Sequence, residues 1–422
     1  MRAGLGGQIT IMRVTLPDPL AHIPGFERLF AEQSALYPAR EPAWQPVHTV
    51  YVPADVFSAG TVAEWGRAAS ALFGAHLAGP EVLAELFGVP GDLARAVHDR
   101  VAAKLAAEPV EDLRIDFEDG YGVCDPARED ADAAAAAVSV AAMHAEGTLP
   151  RRWGPRVKSF ADGDPGRSVR TLDVFLTALV ERAGLLPPGF TVTFPKVLME
   201  GYLGQFAACL AELERGLALA PGTLRFEIQV EAPQTVLFLH RSPGLVPSLG
   251  GRLAAAHFGV FDYTAACGLP PHEQRLDHPA CDHARHVMQT VFAGTGVELS
   301  DGSLAAEPAT DSAHDVHALW RRHARLIGHS LAHGFYQGWD MHPSHLVSRY
   351  AATYAFHLAP MAGYAGRVRA WQERRAAGDG LLDEPATIRS LSAALGRAAH
   401  ALGEAAAADG AGAGAVPLTP GR

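Results

Sequence analysis

Strand-like and helical segments alternate along most of this chain, and that alternation limits its possible folds more than any other feature. Short runs rich in β-branched and aromatic residues are each followed by a segment with the helical period. We predict eight strands, at residues 48–53, 112–119, 154–160, 190–197, 224–231, 255–262, 296–299 and 335–341. Eight strand–helix units predict an α/β fold, a closed (β/α)8 or TIM barrel. An open doubly wound sheet is the alternative, but the glycine fingerprint that follows its first strand is absent.

Additional segments flank the predicted barrel on both sides. Residues 1–45 contain several Pro and Gly and little periodicity, which indicates an N-terminal extension with one short helix near 24–36. The barrel is predicted to occupy residues 46–346, and residues 347–404 are expected to form a C-terminal helical appendage. The last stretch, 405–422, is rich in Ala, Gly and Pro and is predicted to be disordered.

Composition and charge exclude several classes of partner. The chain has 422 residues, 48% of them hydrophobic, and a formal net charge of −11. This acidic balance argues against nucleic acid and against anionic membranes, because phosphate groups attract a basic face. No apolar run approaches the ~20 residues that a membrane-spanning helix needs, and residues 1–19 lack the pattern of a secretory signal. The four cysteines are widely spaced, so we expect a reducing, cytoplasmic location.

Two carboxylates follow strongly apolar, strand-like runs in the second half of the chain. Glu231 closes the run LRFEIQVE, and Asp262 closes the run AHFGVFD. The carboxyl ends of barrel strands meet at the rim where such folds bind ligands. Two carboxylates from different strands can hold a hard divalent cation and leave positions for substrate and water. We therefore predict a metal site with these two ligands for Mg²⁺, with Mn²⁺ as the alternative, since no Cys/His set lies nearby.

Charged residues at the ends of strands two to four are candidates for the same rim. Glu118 and Asp119 precede a Gly-rich turn and could orient metal-bound waters, although a turn-forming role explains them equally well. Arg156 could bind a substrate carboxylate with its forked guanidinium, or form a structural ion pair with one of those two acids. Strand alternation places Lys158 on the same face as Arg156. Lys196 could bind an anion or form a Schiff base, and a structural salt bridge is the alternative that we favour.

A histidine and several backbone groups complete the candidate rim. His342 follows the eighth strand, so it could act near the substrate or form the turn before Pro343. Backbone amides around Gly259 and Phe261 lie beside Asp262 in the sequence. Such amides could bind the carboxylate of a metal-chelated 2-oxo acid.

Histidines also cluster away from the rim. His283 and His286 stand three residues apart on a predicted helix, where such a pair could bind zinc. His323, His329 and His333 form a second group. The H-E-x-x-H metalloprotease motif is absent, because no Glu lies within the first pair. Solvated helix faces are the interpretation that we favour for the first pair.

Six short motifs resemble those of a known superfamily, and they occur in its order. The motifs are DFEDG (116–120), RVKSF (156–160), FPKV (194–197), IQVEAP (228–233), GVFDYTAACGL (259–269) and WDMHPSHL (339–346). They are similar to motifs of the HpcH/HpaI aldolase and citrate lyase β-subunit superfamily, which includes CitE-like proteins and malyl-CoA lyases. Each motif is weak alone, but their common order is specific. The resemblance implies a TIM barrel, a divalent metal, and cleavage or formation of carbon–carbon bonds through an enolate.

The resemblance also implies roles for individual residues. It makes Glu231 and Asp262 the metal ligands and Arg156 the substrate clamp. It makes Glu118 and Asp119 an acidic pair near metal-bound water. Two departures from the superfamily pattern, a long insertion after the first strand and Lys-Ser in place of the Asn of its RVN strand, leave the use of a CoA thioester open.

We therefore expect a Mg²⁺-dependent carbon–carbon lyase or aldolase. Its substrate would be a 2-oxo or 2-hydroxy acid or the CoA-thioester aldol partner of such an acid, and the metal would stabilise the enolate charge. The general base stays open between a metal-bound water, Asp119, His342 and a group from a partner subunit, since related barrels form homo-oligomers. Two other classes remain as alternatives: a phosphoenolpyruvate/pyruvate-type phosphoryl-transfer barrel and a non-catalytic CitE-like barrel subunit.

Overall fold

Eight parallel strands pair in chain order and close into a barrel, which confirms the predicted fold class. The strands are β1 (His48–Pro53), β2 (Asp112–Asp116), β3 (Arg152–Arg156), β4 (Val192–Phe194), β5 (Phe226–Val230), β6 (Leu253–Phe258), β7 (Glu298–Ser303) and β8 (Gln337–Asp340). The first and last strands pair directly, with His48 opposite Gly338, and this pairing closes the cylinder. The computed structural model describes residues 15–16, 18–38, 43–242, 244–373 and 383–403.

Helices surround the barrel and extend it at both ends of the chain. They are α1 (Phe26–Leu36), α2 (Thr61–His76), α3 (Pro80–Phe87), α4 (Gly91–Ala107), α5 (Pro126–Glu146), α6 (Pro165–Ala183), α7 (Gly201–Gly216), α8 (Pro233–Arg241), α9 (Leu245–Ser248), α10 (Val260–Ala266), α11 (Pro279–Phe292), α12 (Ala313–Ala332), α13 (Pro343–Gln372) and α14 (Pro385–Ala401). Short 3-10 turns occur at Leu20–His22, Phe160–Asp162 and Pro271–Glu273. None of the described helices combines the length and the apolar composition that crossing a membrane would take.

The main differences from the predicted elements fall at strand ends. β6 ends at Phe258, and α10 begins two residues later, so Asp262 lies in the first turn of a helix and not at the end of a strand. Likewise, β3 ends at Arg156, so Lys158 lies beyond the strand and the alternation argument does not apply to it. An apolar run by itself does not distinguish a strand from the start of a buried helix. This ambiguity explains the error at Asp262.

The segments that flank the barrel are helical where the structure describes them. α1 matches the helix predicted near residues 24–36. α13 starts three residues after β8, is buried along its first half, and packs against α2, α4, α12 and α14. The proposed division at 46–346 and 347–404 stays a prediction. The predicted disordered tail, 405–422, lies outside the described residues.

Aromatic side chains fill the core between α7 and the strands β4 and β5. Phe206 stacks on Phe194, with ring centroids 4.3 Å apart and an interplanar angle of 5°. It also meets Phe226 edge-on, at 5.5 Å. All three rings are fully buried, and each such ring removes on the order of 150–250 Å² of surface from water. This packing fixes the two strands that lead directly to Lys196 and Glu231.

A buried ion-pair layer ties the strands together inside the barrel. Arg114 of β2 donates from Nε and Nη2 to the carboxylate of Glu227 on β5, at 2.8 and 2.7 Å. Its Nη1 lies 2.9 Å from Asp112 Oδ1, and Thr193 of β4 donates to Glu227 from its hydroxyl. Removing one partner of a buried pair leaves an uncompensated charge and costs about 3–5 kcal/mol. The layer therefore holds β2, β4 and β5 in fixed positions beneath the rim.

Two glycine variants test the packing of the sheet. A Cβ at Gly154, in β3, would overlap the carbonyl oxygen of Thr191, whereas a Cβ at Gly204, on the exposed side of α7, would meet nothing within 4 Å. We expect Gly154→Ala to lower the free energy of unfolding by about 2 kcal/mol or more. Gly204→Ala should raise it by about 0.5–1 kcal/mol, because Ala favours helix. Urea denaturation followed by circular dichroism measures both, and equal stabilities for the two variants would contradict the described strand contact.

Candidate active site at the mouth of the barrel

Five charged residues meet at the carboxyl ends of neighbouring strands. Arg156 is the last residue of β3, Glu231 follows β5 directly, and Glu118 and Lys196 each lie two residues beyond β2 and β4. Asp262 reaches the same region from the first turn of α10. Parallel strands in a closed barrel bring their carboxyl ends to one rim, where ligands bind in this fold. These five residues, all predicted from the sequence to lie at the rim, are therefore found together at the mouth of the barrel.

Glu231 is almost completely buried and tightly confined. Its side chain is 3% exposed, and its Oε1 accepts a hydrogen bond from the Lys196 backbone N–H at 2.7 Å. The backbone at Gly259 passes so close that any added Cβ would overlap the Glu231 side chain. The Gly259 N–H donates to the Val230 carbonyl at 3.0 Å, which corrects the expectation that this amide binds substrate. Because glycine has no side chain, Gly259 leaves room for the side chain of Glu231.

Three carboxylates influence one another at this point. The pKa of Glu231 is raised to about 8, chiefly by burial; the charges of Glu118 and Asp262 also raise it, and those of Lys196 and Arg156 lower it. Asp262 is exposed to solvent, and its negative charge acts on Glu231. The mouth thus holds a buried carboxylate that its surroundings disfavour as an anion, which an added cation would relieve.

Arg156 is fixed by a bidentate ion pair and an aromatic ring. Its Nε and Nη2 donate to the two carboxylate oxygens of Asp116, at 2.6 and 2.5 Å. Its Nη1 lies 3.1 Å from Glu118 Oε2, and the guanidinium lies over the Tyr51 ring, 4.9 Å from the centroid. The sequence prediction named Glu118 but missed Asp116 and Tyr51. The available signal was the acidic motif itself, because Asp116 and Glu118 both fall in the predicted strand 112–119.

Lys196 is held among the acidic residues by both its backbone and its side chain. Its Nζ contacts Glu118 and lies 2.7 Å from each carboxylate oxygen of Asp119. Its φ of 45° is in the left-handed region, which costs a non-glycine residue free energy and is typical of functional sites. Burial alone would lower the pKa of Lys196, but the charge of Glu118 and the hydrogen bonds raise it above the ordinary value. A Schiff-base role needs the opposite shift, so the structure favours the salt bridge.

Lys158 and Phe261 contact other parts of the chain. The Nζ of Lys158 donates to the Phe117 carbonyl at 2.7 Å and to Glu129 of α5 at 2.8 Å. The ring of Phe261 is half-buried and lines a separate cavity of about 200 Å³, together with Ser303. These contacts do not bring the Lys158 side chain to Glu231. The backbone amide of Phe261, the group expected to bind substrate, lies in the first turn of α10.

His342 caps the N-terminus of α13. Its Nδ1 accepts from the Ser344 N–H at 3.2 Å and lies 2.8 Å from the Ser344 hydroxyl. Its Nε2 is 3.6 Å from Glu307. Burial lowers the pKa of His342, and the charge of Glu307 opposes that shift. These contacts explain His342 as a helix cap, the structural alternative considered for it, and give no link to the acidic mouth.

The donor set of the mouth suits a hard divalent cation. Its ionisable groups are five carboxylates (Asp116, Glu118, Asp119, Glu231 and Asp262) and two cations (Arg156 and Lys196). Carboxylate oxygens are the ligands that Mg²⁺ prefers, and its shell is usually completed by water and substrate. Among the described residues, two groups have three ligand atoms within 4.8 Å of one another, and neither of them lies at the mouth. The assignment of Glu231 and Asp262 as the protein ligands of such an ion stays a prediction.

Comparison with known proteins supports the fold. The family described as "Domain of unknown function (DUF6986)" matches residues 28–418. None of the curated proteins matches the chain. The structure resembles a citrate lyase from Burkholderia xenovorans LB400, with a TM-score of 0.58 and 18% identity over 88% of this chain and 98% of that one. It also resembles a malate synthase from Haloferax volcanii, with a TM-score of 0.50 and 16% identity over 74% of each chain. The resemblance to citrate lyase-type barrels inferred from the motifs is confirmed at the level of fold.

Two carboxylate variants test the anchoring of Arg156. We expect Asp116→Asn to lower the free energy of unfolding by about 3 kcal/mol, because it breaks a buried bidentate pair and leaves Arg156 with Glu118 as its remaining carboxylate contact. Asp119→Asn is the matched control, since Asp119 is exposed and its pair with Lys196 should contribute less than about 1 kcal/mol. Denaturant titrations at pH 7 measure both changes. Similar losses in the two variants would show that Asp116 does not hold Arg156 as described.

Proposed function

Since the chain belongs to the DUF6986 family, whose description names no activity, we propose from its site that the protein is a divalent-metal-dependent carbon–carbon lyase or aldolase. Its substrate would be a 2-oxo or 2-hydroxy acid, or the CoA-thioester aldol partner of such an acid. The observation that carries this proposal is the buried carboxylate of Glu231, held beside Glu118 and Asp262. A site with such excess negative charge binds an anionic substrate only when further positive charge is present.

We propose Glu231 and Asp262 as the protein ligands of Mg²⁺, with Mn²⁺ as the alternative ion. When bound, the cation would serve as a Lewis acid that stabilises negative charge developing on a substrate oxygen. The confinement of Glu231 by Gly259 and by the Lys196 N–H fixes where its carboxylate can bind such an ion. The solvent-exposed position of Asp262 leaves the second ligand free to adjust.

Arg156 is the group that we propose for the substrate carboxylate. Three of its N–H groups are engaged by Asp116 and Glu118, and a guanidinium has five. The remaining N–H groups can bind a carboxylate without reorientation of the side chain, because Asp116 and the Tyr51 ring already fix the plane of the guanidinium. Lys196 complements this role, since it holds Glu118 and Asp119 in position.

Glu118 and Asp119 differ in their suitability for moving a proton. Burial raises the pKa of Glu118, against the opposing charges of Arg156 and Lys196. For Asp119, partial burial is outweighed by hydrogen bonding to Lys196, which lowers its pKa. A proton-transfer group works best when its pKa lies near the operating pH. We therefore favour Glu118 over Asp119 and over His342, which is engaged as a helix cap.

The structural relatives agree with this proposal at the level of class. The barrels that share the fold are named for citrate and for malate, which are hydroxy acids. The phosphoryl-transfer alternative would need more cationic groups at the rim than Arg156 and Lys196 provide. A cytoplasmic location and a homo-oligomeric state stay predictions.

Carboxylate variants at the mouth test the metal assignment. We expect Mg²⁺ to raise the thermal midpoint of the wild-type protein, because a ligand of the native state stabilises it by about 2.7 kcal/mol at a hundred times its Kd. Glu231→Gln and Asp262→Asn should each abolish this shift while the far-UV spectrum stays native. Glu212→Gln, an exposed carboxylate on α7, is the matched control and should keep the full shift. An undiminished shift in both mouth variants would remove the metal assignment.

Hydrogen exchange into a carbon acid tests the chemistry without knowledge of the full substrate. Enolate formation exchanges the methyl hydrogens of pyruvate or of acetyl-CoA for deuterium in D₂O, and proton NMR follows the loss of signal. We expect Mg²⁺-dependent exchange in at least one of the two compounds, reduced roughly 100-fold or more in Glu231→Gln. No exchange in either compound, with a normal Mg²⁺-dependent thermal shift, would show that the barrel binds metal but does not form enolates of this kind.

A further inference from the structure

A second cluster of ligand-type side chains lies away from the strand-end carboxylates, at α11 and α12. Asp282 is in the first turn of α11, His329 is in the last turn of α12, and His333 is the C-terminal cap of α12. One ligand atom from each lies within 4.8 Å of the others. His286 stands one turn after Asp282, with its ring centroid 5.7 Å from that of His333. The cluster therefore combines two i,i+4 pairs from two helices, and residues four apart share a helix face.

The distances within the cluster suit a tetrahedral metal ion. His329 Nε2 lies 2.8 Å from Asp282 Oδ1, and His333 Nε2 lies 3.7 Å from the same oxygen. Zinc–ligand bonds of about 2.0–2.1 Å at tetrahedral angles place neighbouring donor atoms roughly 3.3 Å apart. The two observed distances lie on either side of that value. All three ligand atoms lie within 4.8 Å of one another, and the contact of His329 with Asp282 is a hydrogen bond whose proton an arriving ion would displace.

The ring of His333 is oriented with a nitrogen lone pair toward Asp282. Its Nδ1 lies 2.9 Å from the His329 carbonyl oxygen. Because a carbonyl only accepts, Nδ1 carries the hydrogen, and Nε2 of the neutral ring is available as a ligand. Metal-binding histidines usually donate their second ring N–H to a carbonyl or a carboxylate in this way. Gln289 of α11 also donates to the His333 carbonyl, which joins the two helices at this point.

Asp282 is reachable from solvent. Arg285 donates at 2.7 Å to Oδ1, the oxygen that also faces the two histidines, and holds the carboxylate in place. The side chains of Asp282, His329 and His333 are 24%, 26% and 25% exposed. A hydrated ion can therefore reach all three.

A second close group of the same residue types does not offer a metal site. It consists of His323, Asp340 and His345, all of them buried. Arg349 donates to both carboxylate oxygens of Asp340, at 2.9 and 3.2 Å, whereas the contact of Arg285 with Asp282 is to one oxygen, Oδ1. Both ring nitrogens of His345 are engaged, one by a backbone N–H at 3.3 Å and the other by a backbone carbonyl at 2.8 Å. The two groups also differ in access, because the second group is closed to solvent, whereas the α11–α12 cluster is open to a hydrated ion.

We propose that Asp282, His329 and His333 bind a divalent transition-metal ion of the Zn²⁺ class, with water or His286 as the fourth ligand. Two imidazoles and one carboxylate favour such an ion over Mg²⁺, which prefers oxygen ligands. The bound ion would clamp α11 to α12, the helices that precede and follow β7. This site is independent of the carboxylates at the mouth and of the activity proposed for them.

Calorimetric titration of Zn²⁺ into the full-length chain, without a histidine tag and in excess Mg²⁺, tests the proposal. We expect one Zn²⁺ to bind to the wild-type protein at this site, and the affinity to fall at least tenfold in His329→Gln and in His333→Gln. His283→Gln is the matched control, because His283 is exposed on the same helix as Asp282 and lies outside the cluster. Glu231→Gln should also keep full affinity. Equal Zn²⁺ affinity in all of these proteins would overturn the proposal.

Co²⁺ provides a second readout that does not depend on the variants folding equally well. Tetrahedral Co²⁺ absorbs visible light far more strongly than octahedral Co²⁺, so the wild-type protein should develop intense visible bands on addition of one equivalent. The bands should disappear when Zn²⁺ is added in competition. A weak octahedral spectrum in the wild-type protein would contradict the proposed ligand set.

Discussion

The candidate site depends on one confined carboxylate, that of Glu231. The barrel places it at the end of β5, the Gly259 backbone passes close to its side chain, and the Lys196 N–H binds one of its oxygens. Its surroundings also disfavour its charge, because burial and the neighbouring Glu118 and Asp262 raise its pKa to about 8. A carboxylate that is fixed in place and electrostatically unfavourable binds a cation strongly, since the ion relieves the repulsion that the fold imposes.

The cationic side of the mouth is equally rigid. Arg156 donates two hydrogen bonds to Asp116 and lies against Tyr51, so its remaining N–H groups point in a fixed direction. Lys196 adopts a left-handed backbone conformation that only its surroundings can sustain. Beneath them, the ion-pair layer of Arg114 joins β2, β4 and β5, and β4 is the strand that leads to Lys196. Rigid support of this kind is what an oriented substrate needs, because misplacement by even 1 Å slows a reaction.

The sequence predicted the barrel and much of the mouth because both follow from local patterns. Alternating strand and helix signals specify the fold, and the position of Glu231 after an apolar run specifies the rim. The sequence analysis was wrong or incomplete where tertiary structure determines a residue's position. Asp262 lies on a helix, and Asp116 of β2 holds Arg156 of β3. The cluster around Asp282 was also beyond prediction as a unit, because the relative position of α11 and α12 depends on how they pack on the barrel.

Anomalous scattering from Mn²⁺ in a crystal of the wild-type protein tests the central claim most directly. Mn²⁺ takes the oxygen ligands that suit Mg²⁺, and its position can be located independently of the refined coordinates. A peak within about 2.5 Å of carboxylate oxygens of both Glu231 and Asp262 is the result that we expect, at the bond lengths typical of hard cations. A crystal in which Mn²⁺ binds elsewhere, with those two carboxylates empty or turned apart, would contradict the account.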